Sequence, residues 1–128
     1  MQFGYTILYV EDVPATLAFY GRAFGLATRY MHESGSYGEL ETGATALAFV
    51  SHALLRQIGK TPQAPTLHKP ASEIALVTDD VAAAVTRAVD AGATLVQDAT
   101  AMPWGQTIAY VGDANGFLVE ICTPVTHA

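Results

Sequence analysis

Shifted by 68 residues, this chain falls on itself. Leu8, Asp12, Val13, Ala15 and Ala23 meet Leu76, Asp80, Val81, Ala83 and Ala91. A helical stripe recurs at the same offset, with Val13, Leu17, Tyr20 and Phe24 in the first copy and Val81, Val85, Ala88 and Gly92 in the second. Towards the end of each copy, Gly43 pairs with Gly116 at a slightly larger offset. The identities cluster where a strand runs into a helix, the point at which backbone geometry tolerates least variation. A duplication predicts one supersecondary unit used twice. In 128 residues it leaves room for one domain, or for two small halves sharing a core.

The first copy sets the unit. Tyr5 to Val10 (YTILYV) is β-branched and aromatic, which reads as a strand. Asp12 precedes Val13-Pro14, and proline suits a first helical turn because its missing N–H leaves nothing unsatisfied there. The stripe spacing predicts a helix, ended by Gly25 as a left-handed cap. Three short strands follow, Ala27–His32, Tyr37–Glu41 and Thr45–Ser51, with Ser34-Gly35-Ser36 and Thr42-Gly43 as turns. A short helix is expected over Ala53–Gly59. Lys60 to Pro70 (KTPQAPTLHKP) carries three prolines and reads as an extended linker.

From Ser72 to Pro124 the order repeats as strand, helix and three strands. Both halves therefore read β-α-β-β-β, over about residues 3–59 and 71–125, with the linker at about 60–70. The class is α+β: two paired modules forming a cupped, mostly antiparallel sheet, with helices on its outer face.

Composition narrows the function. Hydrophobic residues make up 51% and charged residues 14%, so part of the surface is expected to be apolar, as at a subunit interface or a ligand groove. A net charge of −6, with Arg22, Arg29, Arg56, Lys60, Lys69 and Arg87 scattered, argues against nucleic acid. Cys122 is the only cysteine, which excludes an intrachain disulfide and a cysteine-based metal finger; within an apolar run it reads as a buried, inert thiol. No apolar stretch reaches the roughly 18–20 residues of a membrane span. The segment MQFGYTILYVEDV lacks a basic n-region and a cleavage site, so no signal peptide and a cytoplasmic location are expected. No G-x-S-x-G elbow, phosphate loop or G-x-G-x-x-G is present.

Two stretches, YVEDVPATLAFYGRAFGL and VGDANGFLVEI, give the chain a family likeness. With the duplicated unit, they resemble the vicinal oxygen chelate superfamily, which holds glyoxalase I, bleomycin-resistance proteins, fosfomycin-resistance thiol transferases and extradiol dioxygenases. The second stretch is similar to that family's D-P-D-G-x-x-x-E segment, with Ala114 in the usual proline position. The resemblance implies paired modules, commonly a homodimer, around a ligand or metal. In metal-dependent members one ligand comes from the first strand of each module and one from the last. Carried over by position, those sites are Tyr5, Leu47, Glu73 and Glu120.

Only the two glutamates are ordinary metal donors. A tyrosine phenol is protonated at neutral pH, and leucine coordinates nothing. Met102-Pro103-Trp104-Gly105 resembles a P-W-G stretch of bleomycin-resistance proteins, which bind their drug without metal.

Individual residues carry two readings each. Glu73 is either a solvated strand end or a cleft group. Glu120 interrupts Phe117 to Cys122 and shares its strand face with Leu118 and Cys122, so its carboxylate needs a partner, a metal or a proton. A hydrogen bond within the sheet, for instance to Tyr5, is the structural alternative. If the two glutamates face each other without metal, one is expected to titrate high. Trp104 covers the core or offers a stacking wall, and Gln106, Tyr110, Tyr37 and Phe49 are expected to line the same cup. Of His32, His52, His68 and His127, most read as solvated, and His32 is the one placed to reach a ligand from a loop.

The expected function is small-molecule binding, metal-independent, near Trp104, Glu73 and Glu120, with no cofactor. The alternative is a glyoxalase-like lyase with a divalent ion on Glu73 and Glu120.

Overall fold

The structure, a computed structural model, describes residues 1–125; His127 lies outside the described residues. Eleven elements run in order along it. They are β1 (Tyr5–Val10), α1 (Val13–Phe24), β2 (Thr28–Met31), β3 (Tyr37–Leu40), β4 (Ala46–Ser51), α2 (His52–Gln57), β5 (Ile74–Val77), α3 (Val81–Asp90), β6 (Thr94–Ala101), β7 (Thr107–Gly112) and β8 (Leu118–Cys122). The class is α+β, two βαβββ modules with α2 appended to the first. By contacts the chain divides into two compact units, one ending at Ala64 and the other starting at Pro65. The second half of the proline-rich stretch thus belongs to the second unit. There Leu67 lies against Gly112, and Pro65 against Gly116.

Each unit holds one four-stranded mixed sheet of the same topology, β1-β4-β3-β2 and β5-β8-β7-β6. The first and last strands of a module lie parallel, and its other neighbours are antiparallel. A parallel pair requires a long crossover between its strands, and the rest of the module, helix included, supplies it.

The repeat has a physical basis at the helix starts. Asp12 Oδ1 accepts a hydrogen bond from the Ala15 amide at 3.0 Å, and Asp80 Oδ1 accepts one from the Ala83 amide at 3.0 Å. Each aspartate satisfies an amide that the first helical turn leaves without a partner. Gly25 closes α1 at φ 69°, where a side chain is disfavoured. The second helix starts one residue earlier than its composition suggests. Ser51 caps it by accepting from the Leu54 amide at 3.1 Å, which draws His52 into the first turn.

α1 presses Val13, Leu17, Tyr20 and Ala23 onto one face of its sheet, where Leu40 and Phe49 complete the core. Tyr20 and Phe49 meet with ring centroids 5.2 Å apart. In the second unit α3 contributes Val81, Val85 and Ala88, and the sheet contributes Ala109, Val111, Val119 and Ile121. No helix of the described residues is long and apolar enough to cross a membrane.

Candidate functional site

With one face of each sheet used for core, the other is available for chemistry. In the second unit β8 lies between β5 and β7, so Glu120 is flanked by Ala75 on one side and Tyr110 on the other. Glu73 precedes β5 by one residue and falls on the same face as Ala75 and Glu120. The Tyr110 hydroxyl donates to Glu120 Oε1 at 3.5 Å, a long bond. Glu120's partner within the sheet is thus Tyr110; an alternation pattern cannot identify a neighbour on another strand.

The phenol responds to this setting. Burial raises the Tyr110 pKa, and the charges of Glu73 and Glu120 and their hydrogen bonds raise it further. Cys122, buried two residues from Glu120, is shifted the same way, by burial first and then by Glu120. Its thiol is protonated at neutral pH and unsuited to nucleophilic attack.

Trp104 stands on the turn that joins β6 and β7, closed by the Gly105 amide donating to the Met102 carbonyl at 2.9 Å. Its indole is 64% exposed, yet it is fixed: Nε1 donates to Gln106 Oε1 at 2.9 Å. Gln106, itself buried, anchors in turn to the Thr123 carbonyl through Nε2 at 2.9 Å. Both ends of the amide are engaged within the protein, so Gln106 braces Trp104. A small cavity of about 110 Å³ lies beside them, lined by Trp104, Gly105, Gln106, Pro124 and Val125.

The first unit holds a different set. Gly38 faces α1 and pairs with Phe49, which puts Phe49 and Leu47 on the helix side of β4. Phe49 was expected to line the ligand site and is instead wholly buried core. The same geometry corrects the ligand register at Leu47. Ile7 pairs with Ala48 as Ala75 pairs with Glu120, so the counterpart of Glu120 is Ala48, one residue further on. The offset of Gly43 from Gly116 misled by one residue because the two turns differ in length.

Tyr5 and Tyr37 do occupy the face away from α1, opposite Ala46 and Val50. Tyr37 donates to Glu39 Oε2 at 2.5 Å, and Glu39 Oε1 lies 3.3 Å from Arg29 Nε. Burial and this bond to Glu39 push the Tyr37 pKa well above the ordinary phenol range. Neither Glu39 nor Arg29 was singled out from sequence. The available signal was the Tyr-Gly-Glu spacing, which puts Tyr37 and Glu39 on one strand face.

The histidines divide. His32 sits in its turn, with Nδ1 2.7 Å from Ser34 Oγ and accepting from the Ser34 amide at 3.1 Å. His52, expected to be solvated, is buried, with Nδ1 2.6 Å from Glu11 Oε1 and Nε2 without a partner. The helix start after Ser51 turns it inward. His68 is exposed.

Glu73 and Glu120 are the only ordinary metal donors that the family pattern leaves here. Among the described residues, no group of three or more His, Cys, Asp or Glu side chains could hold an ion. The first unit's counterparts of Glu73 and Glu120 are Tyr5 and Ala48, and Tyr110, beside the glutamates, keeps its proton. Tight binding of a transition metal calls for several imidazole or carboxylate donors.

The two shifted phenols carry a testable consequence. From an ordinary value of 10.0, both keep their protons in the folded chain after an unfolded tyrosine has lost its own. Their contribution is full below that value and is lost as pH rises through the folded values. Urea unfolding at pH 9 and at about pH 11 is expected to show a smaller alkaline loss in the Tyr37→Phe/Tyr110→Phe double variant than in the wild type. Equal losses would reject this account.

Comparison with known proteins agrees with the topology. A model of the Glyoxalase family, described as the Glyoxalase/Bleomycin resistance protein/Dioxygenase superfamily, matches residues 2–121. No curated protein matches. Among solved structures, a glyoxalase-related enzyme from Fulvimarina pelagi is similar at 25% identity and TM-score 0.81, over 96% of this chain and 88% of that one. A hypothetical protein from S. aureus is similar in fold at 18% identity and TM-score 0.80, over 97% and 95%. A glyoxalase/bleomycin resistance protein/dioxygenase family enzyme from Burkholderia phytofirmans PsJN aligns at 23% identity and TM-score 0.74, over 98% and 100%.

Proposed function

The chain belongs to the Glyoxalase/Bleomycin resistance protein/Dioxygenase superfamily, and from that membership we propose that it binds a small molecule without a metal. The ligand is held on the open face of the second unit, near Trp104, Glu73 and Glu120. One observation carries this reading: the position that holds Glu120 in one module holds Ala48 in the other. Half of the family's ligand pattern thereby falls on Tyr5, a poor donor to a divalent ion while its phenol is protonated, and Ala48, which cannot coordinate. What remains is two carboxylates that accept hydrogen bonds, a phenol locked as a neutral donor, and a braced indole. These groups suit a ligand with a flat ring and one or more N–H or O–H donors. A homodimer and a cytoplasmic location belong to the same proposal; the low charged fraction supports the first, and exposed Phe3, Tyr5, Ile7 and Val77 add to it.

Trp104 is the only tryptophan, so its fluorescence reports on this site alone. Protein purified without chelator is expected to carry no stoichiometric Ni, Zn, Mn or Fe. Added divalent ions are expected to leave Tm unchanged. Screening flat donor-bearing compounds by Trp104 quenching should then yield saturable binders, weakened tenfold or more by Glu120→Gln, since a hydrogen bond to a charged group is worth roughly 1.5–3 kcal/mol. Stoichiometric metal that disappears in Glu120→Gln would overturn the proposal in favour of the lyase.

A further inference from the structure

The first unit contains a polar and aromatic group that the reading above does not use. It begins with an irregularity in β2. Thr28 pairs with Leu40 and Tyr30 with Glu39, so two steps along β2 answer one step along β3. The extra residue is Arg29. Strict alternation would send Arg29 and Tyr30 to opposite faces. A bulge bends the strand and re-aims the side chain at the break. Arg29 accordingly reaches Glu39, the cross-strand partner of Tyr30.

The guanidinium is held at two points. Nε lies 3.3 Å from Glu39 Oε1, and Nη1 donates to the Gly43 carbonyl at 3.3 Å. Neither of these contacts uses Nη2, and the side chain is 37% exposed. Glu39 is only 12% exposed and both of its oxygens are taken, one by Arg29 and one by the Tyr37 hydroxyl. Glu39 therefore positions the other two groups. Beside them Tyr30 and Tyr37 lie with ring centroids 6.3 Å apart and planes tilted by 54°. Tyr30 is 42% exposed and Tyr5, close enough to Tyr37 to affect it electrostatically, is 54% exposed.

We propose that the Arg29 fork and the Tyr30–Tyr37 rings form a binding site on the first unit for a flat aromatic carboxylate. The remaining hydrogen-bonding capacity is a set of donors on a fixed planar cation, which matches two coplanar acceptor oxygens. Half-exposed tyrosine rings offer apolar faces for the ring that carries them. The protein's net charge of −6 repels anions at long range, so the local fork has to supply the affinity. Arg29, Tyr30 and Tyr37 are not among the residues that carry the second-unit proposal, so the two proposals can fail separately.

2-Naphthoate is the probe, followed by NMR of ¹³C-labelled tyrosine rings and by Trp104 fluorescence. Saturable shifts of Tyr30 and Tyr37 are expected in the wild type. Arg29→Gln is expected to weaken binding tenfold or more, Arg29→Lys less, and naphthalene-2-carboxamide to bind at least tenfold more weakly than 2-naphthoate. Tyr30→Leu is expected to weaken both compounds by a similar factor, because it removes the ring contact and leaves the fork. Unchanged far-UV circular dichroism confirms that each variant is folded. No saturable shift at millimolar naphthoate, equal affinity in Arg29→Gln, or a response confined to Trp104 would each overturn the proposal.

Discussion

Replacing Phe49 with alanine is expected to lower the unfolding free energy by about 3–5 kcal/mol, the range for a large aromatic removed from a closed core. Phe49 is fully buried, its ring centroid lies 5.2 Å from that of Tyr20, and its cross-strand partner Gly38 has no side chain to fill the space. Urea denaturation measures the loss directly. The milder Phe49→Leu variant serves as companion: it is expected to remain folded and to bind ligands that quench Trp104 with wild-type affinity. A loss below about 1 kcal/mol, as for exposed sites, or a binding defect in folded Phe49→Leu, would return Phe49 to the ligand site.

Gly38→Ala is expected to be the second most damaging change, at about 1–3 kcal/mol, by overpacking. A Cβ on Gly38 would stand 2.6 Å from Leu17 Cδ1 and 3.1 Å from Val13 Cγ1. Both belong to α1 and are buried, so Leu17 has little free space to turn into and relief disturbs the packing of the helix on its sheet. Gly112→Ala makes the comparison informative. Its Cβ would come equally close to Leu67, at 2.5 Å, but Leu67 is half-buried on an irregular segment and can turn aside. Parallel thermal melts should show the Gly38 variant clearly less stable than the Gly112 variant. Equal losses would mean that contact distance matters more here than the freedom of the neighbour.

These two variants show where reading the chain succeeds. The stripe Val13, Leu17, Tyr20 marks the buried face of α1 because a helix brings every third and fourth residue to one side. Phe49 misled because alternation along β4 does not say which of its two faces meets the helix. That choice is made by Gly38, one strand away, whose missing side chain admits α1.

The candidate site divides along the same line. Glu73 and Glu120 were legible as unusual groups, the latter because a carboxylate broke an apolar strand. Their neighbour Tyr110 was legible as an aromatic of the same module, but its hydrogen bond to Glu120 spans two strands. Arg29 was read only as a scattered charge. Its direction depends on a β-bulge, and no turn residue or proline marks one there.

By itself the sequence determined the duplication, the α+β class and the apolar stripes of the two repeated helices. All of these rest on interactions between residues a few positions apart, or on a pattern repeated whole. Only the tertiary structure decided that Ala48 stands where Glu120 has its counterpart, that Phe49 belongs to the core, and that Arg29 and Glu39 join Tyr37. Each depends on pairing across the sheet, where a shift of one residue moves a side chain to the opposite face and leaves the local pattern unchanged.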